Sequence, residues 1–491
     1  MQVKRRWISF LSVMLMLLLL VPFTVSCQND TAEPVETDRE KIEEETVAER
    51  KYLDDLGEFD FGGTEFKVLS VTATTGTYTT FDVDDYSGTM VDQSIYDRNR
   101  EIEERFNVVF ESDTDSYGKC YTVCQQEALA PTENYDLIML INRNACTALL
   151  SKWILLPSQI PHLDMSKDYY MQDINEMCTV NGVQMFAYSD ESIYTLERAT
   201  CVVYNSQMKD AYGMGDFYRL VEDKQWTVEK MYQLMQQATV IDTTTNETTQ
   251  WGLYGHGAYM FTSFWFGAGQ TMITVNNNGT MKFTAGSNQT IIDLTDKFLE
   301  AVDAGQIGYT MEYTDESQWS KHFVNGDSLF VATVIGKIYL LKDIEGWDYG
   351  VLPYPLLNSD QDKYYSRVVD AWLHTVPVNC KNRERAGVIL EALAAGSAKY
   401  VVPAYYDNTL LTRVLREPKS VEMVEMIRQN RILDLADVTW FADARDPIDQ
   451  QVFVKRTKTF TNLCATSVTS QINYQIAQTN KKLGELLATL N

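Results

Sequence analysis

Histidine and the motifs of common hydrolases are scarce in this sequence. Only four of the 491 residues are histidines, at positions 162, 256, 322 and 374. None of them falls in an H-E-x-x-H metal motif, and no G-x-S-x-G elbow is present for a serine nucleophile. The Gly336-Lys337-Ile338 run lacks the hydroxyl and the upstream glycine of a phosphate-binding loop. We therefore expect a protein that is not an enzyme and holds no cofactor or metal, with a glycosidase built on two opposed carboxyl groups as the remaining catalytic alternative.

Positive charge is also in short supply. The chain has 42 Lys and Arg against 68 Asp and Glu, which gives a formal net charge of −26. Three of the cations, Lys4, Arg5 and Arg6, stand at the very start, and their removal with a leader would bring the charge to about −29. Such a surface repels phosphate backbones and anionic headgroups. Nucleic acid is therefore excluded as an expected partner.

The number of cysteines does not suit a disulfide framework. Apart from Cys27 there are seven, at positions 120, 124, 146, 178, 201, 380 and 464. An exported protein that is stapled by disulfides usually has an even set. We expect most of the seven to be buried thiols.

Long apolar runs are rare, and the clearest one lies at the start of the chain. Residues 7–23 form an apolar core behind the three cations, and Thr24-Val25-Ser26-Cys27 follows. This order is typical of a secretory signal. The last four residues resemble a bacterial lipobox, so 1–27 is interpreted as a lipoprotein signal peptide with Cys27 as the lipidated residue. A signal anchor and a plainly cleaved signal are the alternatives. No second apolar stretch of membrane-spanning length is expected.

Residues 28–58 are too acidic and too poor in apolar side chains to bury a core. We expect an acidic flexible tether there, with a short helix at 39–50 as an alternative.

The folded part alternates between the apolar spacing of strands and that of helices. Strands are predicted at 66–71, 107–111, 135–141 and 200–204, and helices at 91–106, from 228 onward, and at 291–304, 384–395 and 481–490. This alternation predicts an α/β protein with doubly wound sheets.

Seven short fragments carry a family resemblance. They are YDLI at 135–138, VVYN at 202–205, WTVE at 226–229, FGAG at 266–269 with NNNG at 276–279, VLPYP at 351–355, EALAAGS at 391–397 and PAYY at 403–406. In this order and spacing the chain resembles the extracellular solute-binding proteins of ABC importers, the family that includes the maltose-type binding proteins. The resemblance covers almost the whole chain after residue 59.

The resemblance implies a two-lobe periplasmic-binding-protein-like fold of type II. Each lobe would be a doubly wound sheet flanked by helices, with the ligand cleft between the lobes. Lobe 1 would comprise 59–200 and 353–400, and lobe 2 would comprise 205–350 and 401–491. Hinge closure would trap a small polar solute, with a sugar or oligosaccharide as the expected ligand, for delivery to ABC permease subunits in the membrane. The protein would be a monomer, lipid-anchored on the outer face of the cytoplasmic membrane of a Gram-positive-type host. A ligand-presenting sensor or adhesion protein is the runner-up.

Candidate ligand-binding residues lie on the loops that follow the strands and beside the crossings between lobes. Loop 72–80 and Asn142, Arg143 and Asn144 follow predicted strands, whereas the other candidates rest on the resemblance and on the use of aromatic faces in sugar binding. The other candidates are Asp190, Arg198, Tyr259, Trp265, Lys337, Asp370, Trp372 and Trp440. The alternatives are a helix N-cap plus a surface cation at Asn142, Arg143 and Asn144, a salt bridge between lobes at Arg198, and a core role for each tryptophan. The cations also leave a carboxylate or phosphate ligand open.

Overall fold

The computed structural model describes residues 53, 55–73, 80–83, 88–130, 135–276, 279–312, 317–406 and 415–488. The signal peptide with Cys27, nearly all of the tether and most of loop 72–80 lie outside the described residues. The alternative short helix at 39–50 lies outside them as well.

Two larger sheets contain ten strands within the described residues. In chain order these are β1 (Thr64–Val71), β2 (Val108–Asp115), β3 (Leu137–Ile141), β4 (Thr200–Asn205), β5 (Val240–Ile241), β6 (Thr248–His256), β7 (Ile307–Thr310), β8 (Ser328–Val334), β9 (Tyr349–Leu352) and β10 (Trp372–Thr375). The first sheet has the order β10-β3-β1-β2, and the second has the order β7-β6-β8-β4-β9 with β5 paired to β6. Three two-stranded pairs complete the strands: Ile273–Val275 with Met281–Phe283, Ser366–Arg367 with Arg431–Ile432, and Thr179–Val180 with Val183–Gln184.

The first sheet is parallel except at one edge. β1 pairs in parallel with both β2 and β3, and β10 runs antiparallel to β3 with Trp372 opposite Ile141. All five residues of β3 are buried, as expected for a strand that is covered on both faces. The three strands predicted for this region are therefore confirmed, and β2 continues to Asp115 because its outer residues lie at the edge of the sheet.

Nine helices of eight or more residues are found in the described residues. They are α1 (Met90–Phe106), α2 (Tyr117–Leu129), α3 (Asn142–Leu150), α4 (Val228–Ala238), α5 (Gln289–Asp303), α6 (Ser317–Val324), α7 (Arg383–Gly396), α8 (Pro418–Gln429) and α9 (Thr469–Leu487). Shorter helices span Gln172–Met177, Tyr194–Glu197, Ser206–Ala211, Phe217–Glu222, Gly257–Met260, Ser263–Gly267, Val402–Ala404, Leu435–Val438, Arg445–Ile448 and Phe460–Leu463.

The predicted helices form where local sequence supplies both a cap and an apolar stripe. Thr89 and Asp92 make a capping box at the start of α1, and Asn107 ends that helix in the left-handed region at φ 50°. Thr227 caps α4, as predicted, by accepting from the Lys230 amide. The prediction for the last helix was wrong at its start: α9 begins at Thr469 rather than Lys481, because a buried stripe with Ile472 and Ile476 continues upstream.

One helical segment differs from the expectation that the chain has no second apolar stretch of membrane-spanning length. The helical segment Arg383–Ala404 is long and apolar enough to cross a membrane, but 72% of its most apolar window is buried inside the protein. Its burial is that of a core helix. Its side chains pack with β1, β2 and β3 residues such as Val68, Val108 and Leu137 in one hydrophobic cluster.

The chain passes between the two sheets twice. The first crossing (residues 190–199) leads into β4, and the second crossing (353–371) leads from β9 to β10. The crossings pair with each other, because Ala199 forms an antiparallel bridge with Val368 and the Val369 amide donates to the Arg198 carbonyl at 3.1 Å. The Arg431–Ile432 strand runs beside the second crossing. The lobe boundaries given above stay a prediction, and the two crossings show where the chain changes sheet.

All seven cysteines in the described residues are buried and unpaired. The prediction of buried thiols is confirmed for these residues. Burial raises the pKa of the Cys120 thiol to about 11 and that of the Cys124 thiol to about 12. Both side chains pack in the core on one face of α2.

Candidate ligand-binding site

Polar and aromatic side chains meet where the carboxyl ends of strands from both sheets approach the crossings. β3 ends at Ile141, opposite Trp372 at the start of β10. In the second sheet, β6 ends at His256 and β8 ends at Val334. Ligands of open α/β sheets bind beyond the carboxyl ends of the strands. The residues that follow these strand ends are therefore the first place to look for a site.

Arg198 and Asp370 form the centre of this region. The Arg198 Nε atom lies 2.8 Å from Asp370 Oδ1, and its Nη2 atom lies 3.3 Å from Asp370 Oδ2. The guanidinium group also lies 5.8 Å from the ring centre of Tyr194 and 5.5 Å from that of Tyr259. Burial disfavours the charge, but Asp370 outweighs this effect and holds the pKa of Arg198 above its ordinary value. The structure thus brings three predicted residues together, and Arg198 makes a salt bridge with Asp370, although both residues fall within predicted lobe 1 and not in different lobes.

Trp372 extends this group of rings toward the first sheet. Its ring lies edge-on to Tyr194 at 5.4 Å and to Tyr117 at 6.2 Å. The side chain is only 8% exposed, and its indole N–H has no well-aligned hydrogen-bond acceptor within the described residues, although it interacts with the Tyr194 hydroxyl. A buried donor without an acceptor carries a desolvation cost of about 1–3 kcal/mol. A ligand oxygen at this N–H would remove that cost.

Arg143 lies on the first turn of α3, directly after β3. Its guanidinium group lies 5.6 Å from the ring centre of Tyr117 and 5.3 Å from that of Phe441. Beside it, Asn142 is buried and its Nδ2 atom donates to Thr439 Oγ1 at 3.2 Å, whereas Asn144 is half-buried. The N-cap of α3 is Ile141 and no side chain caps it, so the alternative of a helix cap at Asn142 is wrong.

Tyr259 and Lys337 approach the crossings from the second sheet. Tyr259 packs with Val334 and Val369, and its carbonyl oxygen accepts from the Tyr354 hydroxyl at 2.8 Å. Lys337 is buried in the helical turn Ile335–Leu341 that follows β8. The preceding Gly336 allows this turn to lie against the first crossing, because an added Cβ would be 2.8 Å from Glu197 Cβ.

Two residues of this region were missed by sequence reasoning. His256 ends β6 with its ring 5.1 Å from that of Tyr259, and burial and the nearby Arg198 lower its pKa to about 4. Phe441, not the predicted neighbour Trp440, contacts Arg143. The position of His256 at the end of the run Thr248–His256, which was not among the predicted strands, could have signalled it. Nothing in the local sequence distinguishes Phe441 from Trp440.

Three further predicted residues, Trp265, Trp440 and Asp190, are buried. Trp265 is 1% exposed and packs against Phe460 at 5.1 Å and Phe453 at 6.3 Å, which is a core position. Trp440 is also buried in the main core. Asp190 is buried with its carboxylate 3.9 Å from Arg428. Burial raises the pKa of Asp190, and Arg431 and Arg428 oppose that rise.

A buried relay of polar groups resembles a hydrolase triad in its connections only. Ser70 Oγ lies 3.2 Å from His374 Nε2, and His374 Nδ1 lies 2.7 Å from Glu191 Oε2. However, Ser70 is 0% exposed, and the adjoining cavity measures about 20 Å³. That volume holds about one water molecule. The relay therefore has no room for a substrate, and its role is to join the first crossing to the first sheet.

No group of three or more His, Cys, Asp and Glu side chains in the described part of the chain could hold a metal ion.

No family model and no curated protein matches the sequence. Solved structures match it in fold. The extracellular solute-binding protein of Staphylococcus aureus, solved with maltose, is 12% identical, and the match covers 84% of this chain and 98% of that one with a TM-score of 0.58. A cyclo/maltodextrin-binding protein solved with maltotetraose is 13% identical over 84% and 97% of the two chains, with a TM-score of 0.57. The galacto-N-biose/lacto-N-biose I-binding protein of Bifidobacterium longum is 9% identical over 86% and 99%, with a TM-score of 0.55.

This chain has the two-lobe, type II fold of the periplasmic binding proteins. The predicted fold class is therefore confirmed. At identities of 9–13%, the likeness establishes the fold alone.

A larger cavity of this binding-protein fold lies elsewhere in the described residues. It measures about 890 Å³ and contains none of the predicted ligand-binding residues. Its polar wall includes the exposed Asp173 and Glu176 and the buried Asp434, whose two oxygens already accept from the Ile273 and Ala436 amides. We assign the candidate site to the Arg198 region instead, because only that region lies at the carboxyl ends of strands from both sheets.

Proposed function

We propose that this protein is an extracytoplasmic solute-binding protein that captures a saccharide between its two lobes and delivers it to an ABC importer. The observation that carries the proposal is the convergence of Arg198, Asp370, Tyr259 and Trp372 from both crossings and both sheets. A ligand held by this group touches both lobes at once. It therefore stabilises the closed arrangement relative to the open one.

The chemistry of the group suits a saccharide. Aromatic rings offer flat apolar faces with little conformational entropy to lose, and the charged pair offers both donors and acceptors to hydroxyl groups. The proteins of this fold described above were solved with maltose, maltotetraose and lacto-N-biose. These complexes support a sugar as the ligand class. They also support a binding role rather than catalysis.

The membrane attachment in this proposal rests on sequence. Lipidation of Cys27 would place the folded body outside the cytoplasmic membrane, and the acidic segment 28–58 would act as a spacer. A monomer that meets permease subunits from that position fits an importer. The same arrangement would serve a sensor if the partner were a receptor, and the proposal commits to the importer.

A saccharide screen tests the binding function directly. The protein beginning after Cys27 is heated with mono-, di- and oligosaccharides, and a ligand at 100 times its Kd is expected to stabilise the folded state by about 2.7 kcal/mol. Small-angle scattering with the same ligand should show a smaller radius of gyration, because closure brings the lobes together. Amino acids and peptides serve as controls. Stabilisation by these compounds and by no saccharide would contradict the proposal.

A further inference from the structure

The cations around the candidate site differ in whether a carboxylate neutralises them. Arg198 is paired with Asp370, and Arg367 is paired with Asp437 at 2.7 and 2.9 Å. Arg445 lies 3.8 Å from Asp437. Arg143 differs from these three because it has no carboxylate within ion-pair distance in the described part of the chain.

Aromatic rings contact the Arg143 guanidinium group and leave its N–H groups available as hydrogen-bond donors. Tyr117 and Phe441 both lie within 5.6 Å of the guanidinium carbon, so aromatic rings rather than acids contact the group. Such contacts stabilise a guanidinium cation but leave its N–H edge free to donate. The backbone of Arg143 is fixed in the first turn of α3. The donors are therefore pre-positioned for a planar acceptor.

A second arginine, Arg445, contacts the same aromatic ring as Arg143 and adds positive charge there. Arg445 lies 5.2 Å from the same Phe441 ring that Arg143 contacts. Two like charges beside one ring repel each other, and Asp437 offsets only the Arg445 side. An anion bound at Arg143 would offset the other side. The buried Asp449 lies near Arg445 rather than at Arg143 and does not fill this role.

Trp372 supplies a further donor on the same side of the site. Tyr117 contacts both Arg143 and Trp372, so the guanidinium group and the indole N–H flank one tyrosine ring. The indole N–H is buried and has no well-aligned acceptor in the described residues. This wall of the site therefore offers two donors, the Arg143 guanidinium group and the Trp372 indole N–H. It matches a ligand with a carboxylate and an adjacent ring or hydroxyl oxygen.

We propose that the ligand is an acidic saccharide, a hexuronic acid or an oligomer that contains one, whose carboxylate binds Arg143 while the Trp372 N–H donates to a neighbouring sugar oxygen. This inference rests on the proposed saccharide-binding function and specifies its substrate class. The guanidinium fork binds a carboxylate through two parallel hydrogen bonds, which a neutral hydroxymethyl group cannot form. The aromatic faces of the site are left to bind the sugar ring.

Calorimetry on matched sugar pairs tests the inference. Glucuronic and galacturonic acid and their disaccharides are titrated beside glucose, galactose and the corresponding neutral disaccharides. In the wild-type protein the acid of a pair is expected to bind at least about tenfold more tightly than its neutral partner. The preference should weaken as the salt concentration is raised from about 0.05 to 0.5 M, because a shorter screening length weakens the attraction between Arg143 and the carboxylate.

Two variants and a control assign the effect to the side chain. Arg143→Gln is expected to lose the preference for the acid and to leave neutral-sugar affinity within about threefold, because one charge-assisted contact is removed. Arg143→Lys keeps the charge without the fork and should fall between the two. Arg219→Gln removes an exposed arginine paired with Asp223 and should change nothing. Circular dichroism and melting curves check that each variant is folded.

The possible results separate the two proposals. If neutral sugars bind as tightly as acids, or if Arg143→Gln weakens both members of a pair equally, the acidic-saccharide inference is wrong and the saccharide function stands. If no saccharide of either kind binds to the folded wild-type protein, both proposals are wrong. An acid preference that survives in folded Arg143→Gln and Arg143→Lys also overturns the role given to Arg143.

Discussion

The Glu191 Oε2 and His374 Nδ1 atoms lie 2.7 Å apart in a buried contact, although the residues are 183 positions apart in sequence. Glu191 belongs to the first crossing, and His374 lies in β10, just after the second crossing. Glu191 Oε1 also accepts from the His374 backbone amide at 3.2 Å. One carboxylate thus fixes both the side chain and the backbone of His374 in β10, next to the second crossing.

Removal of this carboxylate should destabilise the protein in a pH-dependent way. Burial opposes ionisation of Glu191, but His374 and Arg98 outweigh it and lower the pKa of the carboxyl group. A lowered folded-state pKa stabilises the fold above the unfolded value near 4.5, and this stability is lost as the pH falls below it. Glu191→Gln should cost about 1–3 kcal/mol at pH 7 and less at pH 4, measured by urea unfolding. Glu229→Gln, at an exposed pair, is the control; equal effects of both variants would contradict the role of Glu191.

Trp372 should contribute to binding through both its ring and its N–H. Trp372→Phe keeps an aromatic face but removes the donor, so we expect several-fold weaker saccharide binding, and Trp372→Ala should be weaker still, with a total loss of about 1–3 kcal/mol. Calorimetry with the best ligand measures both variants. Trp265→Phe should lower the melting temperature and leave the affinity unchanged because that ring is in the core. Unchanged affinity in Trp372→Phe and Trp372→Ala would remove Trp372 from the site.

Gly336 should be sensitive to a single added methyl group. A Cβ there would lie 2.8 Å from Glu197 Cβ and 3.2 Å from the Glu197 carbonyl oxygen, so the Lys337 turn would have to move away from the first crossing. We expect Gly336→Ala to cost about 1–3 kcal/mol of unfolding free energy and to weaken ligand binding. Gly118→Ala is a matched control in α2, where an added Cβ meets no atom within 4 Å. If the Gly336→Ala protein were as stable as the Gly118→Ala protein, the contact with Glu197 would not limit the size of residue 336.

Asp449 should make the protein less stable as the pH rises. Burial raises the pKa of this carboxyl group to about 7, against the pull of Arg445 and Arg367. The folded state then holds a proton that the unfolded state releases near pH 3.8, so this contribution to stability is full below pH 4 and is lost as the pH rises through 7. Asp449→Asn should remove a decline of roughly 1–3 kcal/mol between pH 4 and pH 8, seen in chemical unfolding curves. As a control, the exposed Asp446→Asn variant should keep the loss of stability between about pH 4 and pH 8. If Asp449→Asn kept this loss as well, Asp449 would not be its cause.

Sequence patterns predicted four of the ten sheet strands and five of the nine longer helices in the described residues, because these elements are set by local spacing. The apolar run of β3 and the capped stripe of α1 are examples, and both formed close to the predicted limits. α9 was predicted too short because its upstream turns carry polar residues between Ile472 and Ile476. There the buried stripe is too sparse to be recognised without its packing partners.

The site was harder to predict because its parts are distant in sequence. Arg198 and Asp370 were both candidates, but their contact joins two crossings, 172 positions apart, that only the fold brings together. Trp265 and Trp440 were chosen as aromatic residues near expected cleft segments, and burial in the core gives them another role. Which of two adjacent aromatics, Trp440 or Phe441, contacts Arg143 depends on the direction of a side chain, and sequence spacing does not specify it.

Because the seven cysteines after Cys27 are buried, the folded protein should react only very slowly with thiol reagents. Burial raises the pKa of the Cys124 and Cys146 thiols to about 12, so almost none of the reactive thiolate is present at neutral pH. A form that starts after Cys27 would therefore accept a fluorescent maleimide only at a cysteine introduced on purpose. Thr147, exposed on the same helix as Arg143, is a suitable position. A dye there should change its emission when a ligand closes the two lobes as proposed, so the chain without other reactive thiols could serve as a fluorescent sensor of its own ligand.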